Sequence, residues 1–329
     1  MAAVDFSSGG AGMTEQGYKA FRESAALLDL SGRGKLRASG EDRARLLHAM
    51  TTNHVQEMQP GQGRYVFFLN AQGRIQCDAN MLAMEDYFLI DTEPETHEKL
   101  YKHLDSYIIA DDVVMEDVTA ATATLSIEGP HAERILSAIG APVPGEPMAS
   151  VAWGARLAVR LNSTGMPGYF LMVPAEEREA LLGELVKAGA VPADSGDARI
   201  VRIENGKPRY GEDILETVIP QETQVMYSVH FNKGCYLGQE IVERVRSRGR
   251  LNRILVSLDI ETQTPPPANA KVTVDEKEAG RITSAVFSPG RGKVVAFAYL
   301  RTERVEATNL MVEGSPAGGV RRPLNQPEI

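Results

Sequence analysis

Residues 36–50 read Leu-Arg-Ala-Ser-Gly-Glu-Asp-Arg-Ala-Arg-Leu-Leu-His-Ala-Met, and residues 125–139 repeat the pattern as Leu-Ser-Ile-Glu-Gly-Pro-His-Ala-Glu-Arg-Ile-Leu-Ser-Ala-Ile. In both copies a leucine is followed four residues later by a glycine, and then by apolar residues at helical spacing. Such a segment predicts a strand, a glycine turn and a helix. The repeat therefore predicts two similar units in one chain.

Further strands are predicted after each copy. In the first, residues 64–69 and 75–84 flank the turn at 70–73, which is a hairpin signal, and 87–90 adds a strand before a helix at 95–104. The second copy follows the same order, with strands at 155–161 and 169–173 and a helix at 175–188. Strands joined by short turns pair antiparallel. The predicted fold class is therefore α+β, with no Gly-rich dinucleotide-binding sequence after a strand.

The sequence changes character from Asn252 onward. Short runs of β-branched and aromatic residues alternate there with Pro and Gly turns, a spacing typical of a small β-barrel. The predicted organisation has a flexible N-terminal segment (1–25), two interleaved α+β units (26–250, divided at about 30–118 and 119–250), a C-terminal barrel (251–313) and a flexible tail (314–329).

The amino-acid composition limits the classes of protein to which the chain can belong. The chain has 329 residues, 43% of them hydrophobic and 24% charged, which is typical of globular proteins with more than one domain. The net charge of −9 and the pI near 5.3 argue against bulk binding to nucleic acid or membranes, which excess positive charge drives. The N-terminal residues show no secretory signal pattern, so we expect a cytoplasmic protein without a membrane segment.

Two cysteines, Cys77 and Cys235, are predicted to be thiols, because no export signal accompanies them. Cys77 alternates with polar residues and should point inward from a strand. The six histidines lack the spacing of a zinc site, so no metal centre is predicted.

Cys235 lies in the octapeptide Lys233-Gly-Cys-Tyr-Leu-Gly-Gln-Glu240, between two glycines and just before a helical pattern. Exposed backbone N–H groups at a helix N-terminus favour a thiolate, and Lys233 is close enough in sequence to add to this effect. The alternative is a packed core thiol. The flanking glycines favour a functional thiol, because they let a ligand approach the sulfur closely.

The octapeptide, together with Arg202-Ile-Glu-Asn-Gly-Lys-Pro208 and Ile219-Pro-Gln-Glu222 in that order, resembles the YgfZ-type proteins. These are folate-binding relatives of the glycine-cleavage T-protein that are implicated in iron–sulfur cluster assembly or repair. The resemblance implies a T-protein-like fold, tetrahydrofolate or a one-carbon derivative as cofactor, and iron–sulfur proteins or their assembly machinery as partners. It also implies a maturation factor more than an enzyme with ordinary turnover.

The resemblance also implies site residues. Glu204, in an expected strand-to-turn segment, would accept two N–H bonds from the pterin edge, with Arg202 beside it as a contact or an ion-pair partner. Arg244 would bind the glutamate tail of folate. The predicted set comprises Cys235 and Lys233 as catalytic residues and Glu204, Arg244, Arg202, Tyr236 and Gln239 as cofactor-binding residues.

Two other functions remain open. An aminomethyltransferase of the glycine-cleavage type needs a catalytic aspartate, and the stretch Leu89–His97 lacks the Asn-Ala pair and the aspartate expected there. A folate-independent thiol redox or scaffold protein would have lost the pocket. The arginines between Arg244 and Arg253 could face an anionic ligand or form a solvated helix end.

Overall fold

The computed structural model describes residues 13–324, except for the side chain of Arg248. The α-helices are α1 (Glu15–Glu23), α2 (Arg43–Met50), α3 (His97–Asp105), α4 (Ala132–Ala138), α5 (Arg178–Lys187), α6 (Ser195–Glu204), α7 (Pro220–Thr223) and α8 (Gln239–Arg248). The strands are β1 (Ala26–Asp29), β2 (Gly34–Ser39), β3 (Gly63–Leu69), β4 (Ile75–Ala83), β5 (Tyr87–Thr92), β6 (Val114–Asp117), β7 (Thr122–Glu128), β8 (Ser150–Trp153), β9 (Arg156–Val159), β10 (Gly168–Pro174), β11 (Val191–Pro192), β12 (Arg253–Ile260), β13 (Lys271–Val274), β14 (Lys277–Ser288), β15 (Lys293–Arg301), β16 (Leu310–Val312) and β17 (Ser315–Arg321).

The repeated pattern forms the predicted elements in both copies. Strand β2 leads through Gly40 into α2, and β7 leads through Gly129 into α4. Both glycines have positive φ angles of 100° and 130°, a conformation that costs glycine little. The hairpin β3–β4 also forms as predicted. The helix expected at 175–188 begins instead as a 3-10 turn at Ala175–Glu177 and continues as α5.

Each unit is organised around one sheet. The first sheet has the order β3-β4-β5-β2-β6, and all its neighbouring strands pair antiparallel. The second has the order β11-β1-β7-β10-β9-β8. Strand β1 precedes the first unit in the chain but pairs with β7 of the second, and its parallel pairing with β11 was not predicted. This exchange makes the two units interleaved.

The C-terminal strands close a barrel in the order β12-β15-β14-β13-β16-β17. Together with the two helix-covered sheets, the barrel confirms the predicted α+β fold. The prediction of a flexible tail from residue 314 was wrong, because β17 completes the barrel by pairing with β12 and β16. Because Ser315–Arg321 contains Gly and Pro, its sequence did not predict a strand. Pairing within the closed sheet stabilises β17. Residues 325–329 of the predicted tail lie outside the described residues.

The prediction of a flexible segment at 1–25 was also wrong where the structure describes it. Thr14 caps helix α1 by accepting a hydrogen bond from the backbone of Gly17, and Phe21 is completely buried. Thr14 also contacts the Asp197 carboxylate of α6 through its N–H at 2.8 Å and its hydroxyl at 2.9 Å. Helix α1 is therefore part of the folded core. Residues 1–12 of the predicted segment lie outside the described residues.

The two sheets pack against each other through apolar side chains that face between them. Leu82 and Leu89 of the first sheet join Leu157, Phe170 and Met172 of the second in one buried cluster. Helices cover the outer faces, and the barrel has its own apolar interior. Within residues 13–324, no helix is both long and apolar enough to cross a membrane.

Truncation tests the role of β17. A chain that ends at Glu313 lacks this strand and leaves the hydrogen-bonding edges of β12 and β16 unpaired. We expect its barrel to lose cooperative thermal unfolding, measured by circular dichroism, and the protein to aggregate at a lower temperature. A chain that ends at Leu324 is the control and should unfold like the full chain. Equal unfolding of both truncated chains would support a flexible tail instead.

Candidate functional site

A large cavity lies where the two sheets, helix α6 and the barrel meet. Its volume is about 1220 Å³, somewhat larger than the roughly 300–1,000 Å³ typical of small-molecule sites. Apolar and aromatic side chains form part of its wall, including Leu28, Met148 and Phe170 from the second unit and Phe287 from the barrel. The described wall of this cavity therefore combines residues of both sheets, helix α6 and the barrel.

The polar wall of the cavity has paired charges. Arg33 donates to the Asp91 carboxylate through Nε and Nη2 at 2.8–3.1 Å and to Glu93 at 2.6 Å. Arg209 also contacts Glu93, at 2.7 Å, and extends to Glu95. These guanidinium groups hold the pKa of Glu93 below its ordinary value against the opposite effect of burial. The carboxylate of Glu93 is therefore fully engaged within the protein.

Asp78 differs from these paired acids. It is 6% exposed, lines the cavity from β4, and accepts one side-chain hydrogen bond, from the Tyr65 hydroxyl at 2.5 Å. Its other carboxylate oxygen has no hydrogen-bond partner among the described residues. Burial, followed by the negative charge of Glu93, raises the pKa of Asp78 to about 7. Asp78 can therefore gain or lose a proton near neutral pH inside the cavity.

The sheet register explains why these groups meet. Asp78 and Asn80 are two residues apart on β4, so both side chains point to the cavity face. Tyr65 of β3 lies directly opposite Asn80, and its long side chain reaches diagonally to Asp78. Cys77 points to the other face and is completely buried in the helix-covered core, as predicted. Burial raises the pKa of the Cys77 thiol well above its usual range.

Asp78 and Tyr65 were not among the site residues predicted from the sequence. The sequence feature that could have identified Asp78 is its position next to Cys77 in a strand that is buried on both faces. A carboxyl group in such a strand needs a polar cavity or a hydrogen-bond partner. Sequence reasoning looked instead for a catalytic aspartate at Leu89–His97. In the structure, Asp91 of that stretch is held by Arg33, whereas β4 supplies an aspartate to the cavity.

Of the two predicted pterin-site residues in α6, only Arg202 lines the cavity. Glu204 is the last residue of this helix and not part of a strand-to-turn segment, which corrects the prediction. Residues two apart on a helix point in nearly opposite directions, which places Glu204 on the far side. Arg202 forms ion pairs with Glu212 and, at 2.6 Å, with Asp213, so its predicted pairing with Glu204 does not form.

Glu204 holds three elements together. Its carboxylate accepts hydrogen bonds from Tyr18 at 3.1 and 3.2 Å, from Arg22 of α1 and from Ser288 of the barrel. Its side chain is only 4% exposed, and it borders a separate surface depression formed with α1 and Arg291. A buried carboxylate with these partners stabilises the packing of α1, α6 and β14.

The octapeptide lies away from the cavity. Among the described residues of the cavity wall, none belongs to Lys233–Glu240. Lys233 was predicted to activate Cys235, but its ammonium donates to the carbonyl oxygens of His48, Thr51 and Asn53 at 2.6, 2.6 and 2.8 Å. Because an ammonium has three N–H donors, these contacts leave none for a hydrogen bond to the Cys235 thiol.

The other octapeptide residues have structural contacts. Cys235 is exposed, whereas Tyr236 is buried with its ring 4.9 Å from the Lys233 ammonium. The Gln239 side chain accepts a 3.3 Å hydrogen bond from the Tyr236 backbone, just before α8. Arg244 is exposed and pairs with Glu240 at 2.6 Å. A ligand in the cavity would therefore not contact Tyr236, Gln239 or Arg244.

The arginine cluster does not form one binding face. Arg246 stacks over the Phe231 ring at 4.5 Å, whereas Arg253 belongs to barrel strand β12 and pairs with Glu222 at 3.2 Å. The side chain of Arg248 lies outside the described part. Nor do His, Cys, Asp and Glu side chains between residues 13 and 324 form a group of three or more suited to a metal ion.

Comparisons with known proteins agree with this architecture. Residues 2–233 match the family described as the GCVT N-terminal domain, and residues 253–322 match the glycine cleavage T-protein C-terminal barrel domain. An aminomethyltransferase from Rubrobacter xylanophilus is 28% identical over 94% of this chain and 87% of its own length. One from Nostoc sp. is 26% identical over 95% of this chain and 88% of its own length.

A solved structure has the same fold. The glycine cleavage system aminomethyltransferase T from Bartonella henselae superposes with a TM-score of 0.84, covering 93% of this chain and 87% of its own. The two sequences are 21% identical, so this likeness establishes the fold alone.

Replacing Asp78 with asparagine tests its unusual pKa. Because burial raises the pKa of Asp78 in the folded state to about 7, the unfolded state loses this proton as pH rises from about 4 to 7 while the folded state keeps it, so the wild-type protein becomes less stable over this range. Asparagine lacks this ionisation. We expect the melting temperature of Asp78→Asn, relative to wild type, to increase by a few degrees between about pH 5 and pH 8. A constant difference across that range would contradict the assignment, and exposed Asp105→Asn provides the matched control.

Proposed function

Because the chain belongs to the glycine-cleavage T-protein family, we propose that it binds a reduced folate in its central cavity and acts as a one-carbon transferase of the aminomethyl type. The observation that carries the proposal is Asp78, a buried acid with an unpartnered oxygen on the wall of a cavity of about 1220 Å³. The relatives named aminomethyltransferases, which match over nearly the whole chain, support the same function.

The residues of the cavity fit the chemistry of a reduced folate. A pterin presents neighbouring N–H donors, and Asp78 is a buried acid of the wall with one carboxyl oxygen that accepts no hydrogen bond from the described residues. Phe170 and Leu28 supply apolar contacts for aromatic rings. Arg199 and Arg209, which are 41% and 31% exposed, lie where the carboxylates of a glutamate tail could be bound.

Reduced folate supplies ring nitrogens that accept a one-carbon unit. The chain contributes orientation and proton control. Tyr65 fixes the Asp78 carboxyl group through its hydroxyl, while burial and the negative charge of Glu93 raise the pKa of Asp78 to about 7. The apolar side chains of both sheets limit the access of water to this group. An acid so placed can hold a proton while an amine donor is bound.

The second candidate is a folate-binding factor for iron–sulfur cluster assembly or repair. The observation that favours it is the exposed Cys235 within Lys233–Glu240, outside the cavity wall and accessible to a partner protein. Cavity and thiol would then serve different steps, with iron–sulfur proteins as partners and the cytoplasm as the expected location. A folate-independent thiol redox or scaffold role is the third candidate.

Calorimetric titration with tetrahydrofolate under anaerobic conditions tests the cavity. We expect Asp78→Asn to weaken binding about 10- to 100-fold, because a hydrogen bond to a charged group contributes about 1.5–3 kcal/mol. Glu204→Gln is the control, since Glu204 faces away from the cavity, and its affinity should stay at the wild-type value. Loss of affinity in Glu204→Gln but not in Asp78→Asn would restore Glu204 as the pterin ligand. No binding by wild type would favour the folate-independent role.

Replacing Cys235 with serine separates the two folate-dependent functions. Because Cys235 lies outside the cavity wall, Cys235→Ser should keep the wild-type affinity for tetrahydrofolate and the wild-type rate of one-carbon transfer from an aminomethyl donor to tetrahydrofolate. If the protein acts in cluster assembly, the same variant should instead lose support of iron–sulfur enzyme activity in cells deleted for the chain. Cys77→Ser is the matched thiol control. Transferase activity that disappears in Cys235→Ser would contradict the separation of cavity and thiol.

A further inference from the structure

The loop that carries Cys235 is attached to the C-terminal end of α2 by one buried cation. Lys233 is 7% exposed, and its ammonium contacts the carbonyl oxygens of His48, Thr51 and Asn53. His48 lies in the last turn of α2, and Thr51 is its C-cap. The C-terminal carbonyl oxygens of a helix carry partial negative charge, which a cation stabilises. The loop is therefore held to α2 both by the attraction between the ammonium and these carbonyl oxygens and by hydrogen bonds of defined direction.

The donors and acceptors of this contact match one to one. A buried ammonium is costly unless every N–H is bonded, and the three carbonyls meet that requirement. Burial lowers the pKa of Lys233 to about 7, and a neutral amine, with two N–H groups, would leave one carbonyl without its donor. A second basic residue in the neighbourhood, His48, has its pKa lowered to about 4 by burial and by Lys233, so it does not compete as a cation at neutral pH.

Backbone hydrogen bonds fix the loop on both sides of the cysteine. The N–H of His230 donates to the Thr52 carbonyl at 3.0 Å, and the N–H of Leu237 donates to the Ala49 carbonyl at 3.0 Å. Cys235 lies between these two points and is exposed. The loop is therefore hydrogen-bonded to the C-terminal end of α2 and the residues that follow it through His230 and Lys233, before the cysteine, and through Leu237, after it.

The same turn also supports the cavity. The side-chain amide of Asn53 donates to the carbonyl oxygens of Tyr65 at 3.1 Å and Tyr227 at 2.9 Å, and both tyrosines line the cavity. The carbonyl of Asn53 accepts from Lys233. One residue thus contacts the cavity wall with its side chain and the thiol loop with its backbone.

We propose that Lys233 is a positioning residue, which fixes the exposed thiol of Cys235 at a set place relative to the central cavity by binding the carbonyl oxygens at the end of α2. Lys233 acts on the loop and not on the sulfur. The use of the thiol rests on the cluster-assembly function proposed above, but the positioning itself is a property of the folded chain.

Lys233→Met, which keeps the aliphatic stem and removes all three N–H donors, tests the proposal in two measurements on the purified protein. Hydrogen exchange should accelerate about tenfold or more at the amides of His230 and Leu237, which donate to the carbonyls of Thr52 and Ala49. The pH midpoint of iodoacetamide alkylation, followed on the peptide that contains Cys235, should stay within about 0.5 unit of wild type, because the ammonium does not touch the sulfur.

Lys35→Met is the matched control. Lys35 is likewise a buried lysine, and its ammonium binds backbone carbonyls, those of Ser31 at 3.0 Å and Arg33 at 2.8 Å. Its loss should leave exchange at His230 and Leu237 unchanged even if the protein becomes less stable. If Lys233→Met does not fold, Lys233→Gln, which keeps two N–H donors, should show a smaller loss of protection at the same amides.

The two measurements distinguish positioning from activation. Unchanged exchange at His230 and Leu237 together with an alkylation midpoint raised by about one unit or more would mean that Lys233 stabilises the thiolate, and would overturn the proposal. Equal acceleration in Lys35→Met would also overturn it, because the effect would then be general instability. Neither measurement involves folate or a cluster, so failure of the proposed function leaves the outcome unchanged.

Discussion

The arrangement of the molecule depends on the buried guanidinium of Arg202. It binds Glu212 and Asp213 on the segment that follows α6, and it donates to the Lys207 carbonyl at 2.7 Å. Asp213 then accepts hydrogen bonds from Thr283 and Ser284 of β14 at 2.8 and 2.6 Å. This network joins α6 to the barrel on the side that faces the cavity. Without the Arg202 guanidinium, the completely buried Asp213 carboxylate would lose its cationic partner, which is strongly unfavourable.

Glu204 makes the corresponding contact on the opposite side of the same helix. Arg22 of α1 and Ser288 of the barrel both bind its carboxylate. Helix α6 is therefore held by charged contacts on two faces, one toward the cavity and one toward α1. The Arg-x-Glu spacing that resembles the family motif has a structural reason here, because residues two apart on a helix reach opposite sides.

The sequence predicted the fold better than the site. The repeat of residues 36–50 at 125–139 and the hairpin turn at 70–73 are local patterns, and local patterns determine local elements. Strand β17 and the pairing of β1 with the second sheet depend on partners far away in the chain, so periodicity could not reveal them. The N-terminal segment was misjudged for the same reason, since Asp197 and Glu204 order α1 from outside it.

The site residues were harder to predict because burial decides their chemistry. The pKa of Asp78 is raised to about 7 because folding removes the carboxyl group from water and places it near the negative charge of Glu93. Sequence spacing could not show that the Lys233 ammonium donates to three carbonyl oxygens, because these belong to residues about 180 positions earlier. Residue type and spacing identified the octapeptide as important, but only the packed structure shows which atoms each side chain meets.

The proposed function depends on the cavity next to Asp78 being a folate site. The most direct test is a crystal structure of the protein with bound tetrahydrofolate, grown anaerobically. We expect the pterin ring in the central cavity, with its N–H edge within hydrogen-bonding distance of the Asp78 carboxyl group. A pterin bound in the depression beside Glu204, or in contact with Cys235, would contradict it.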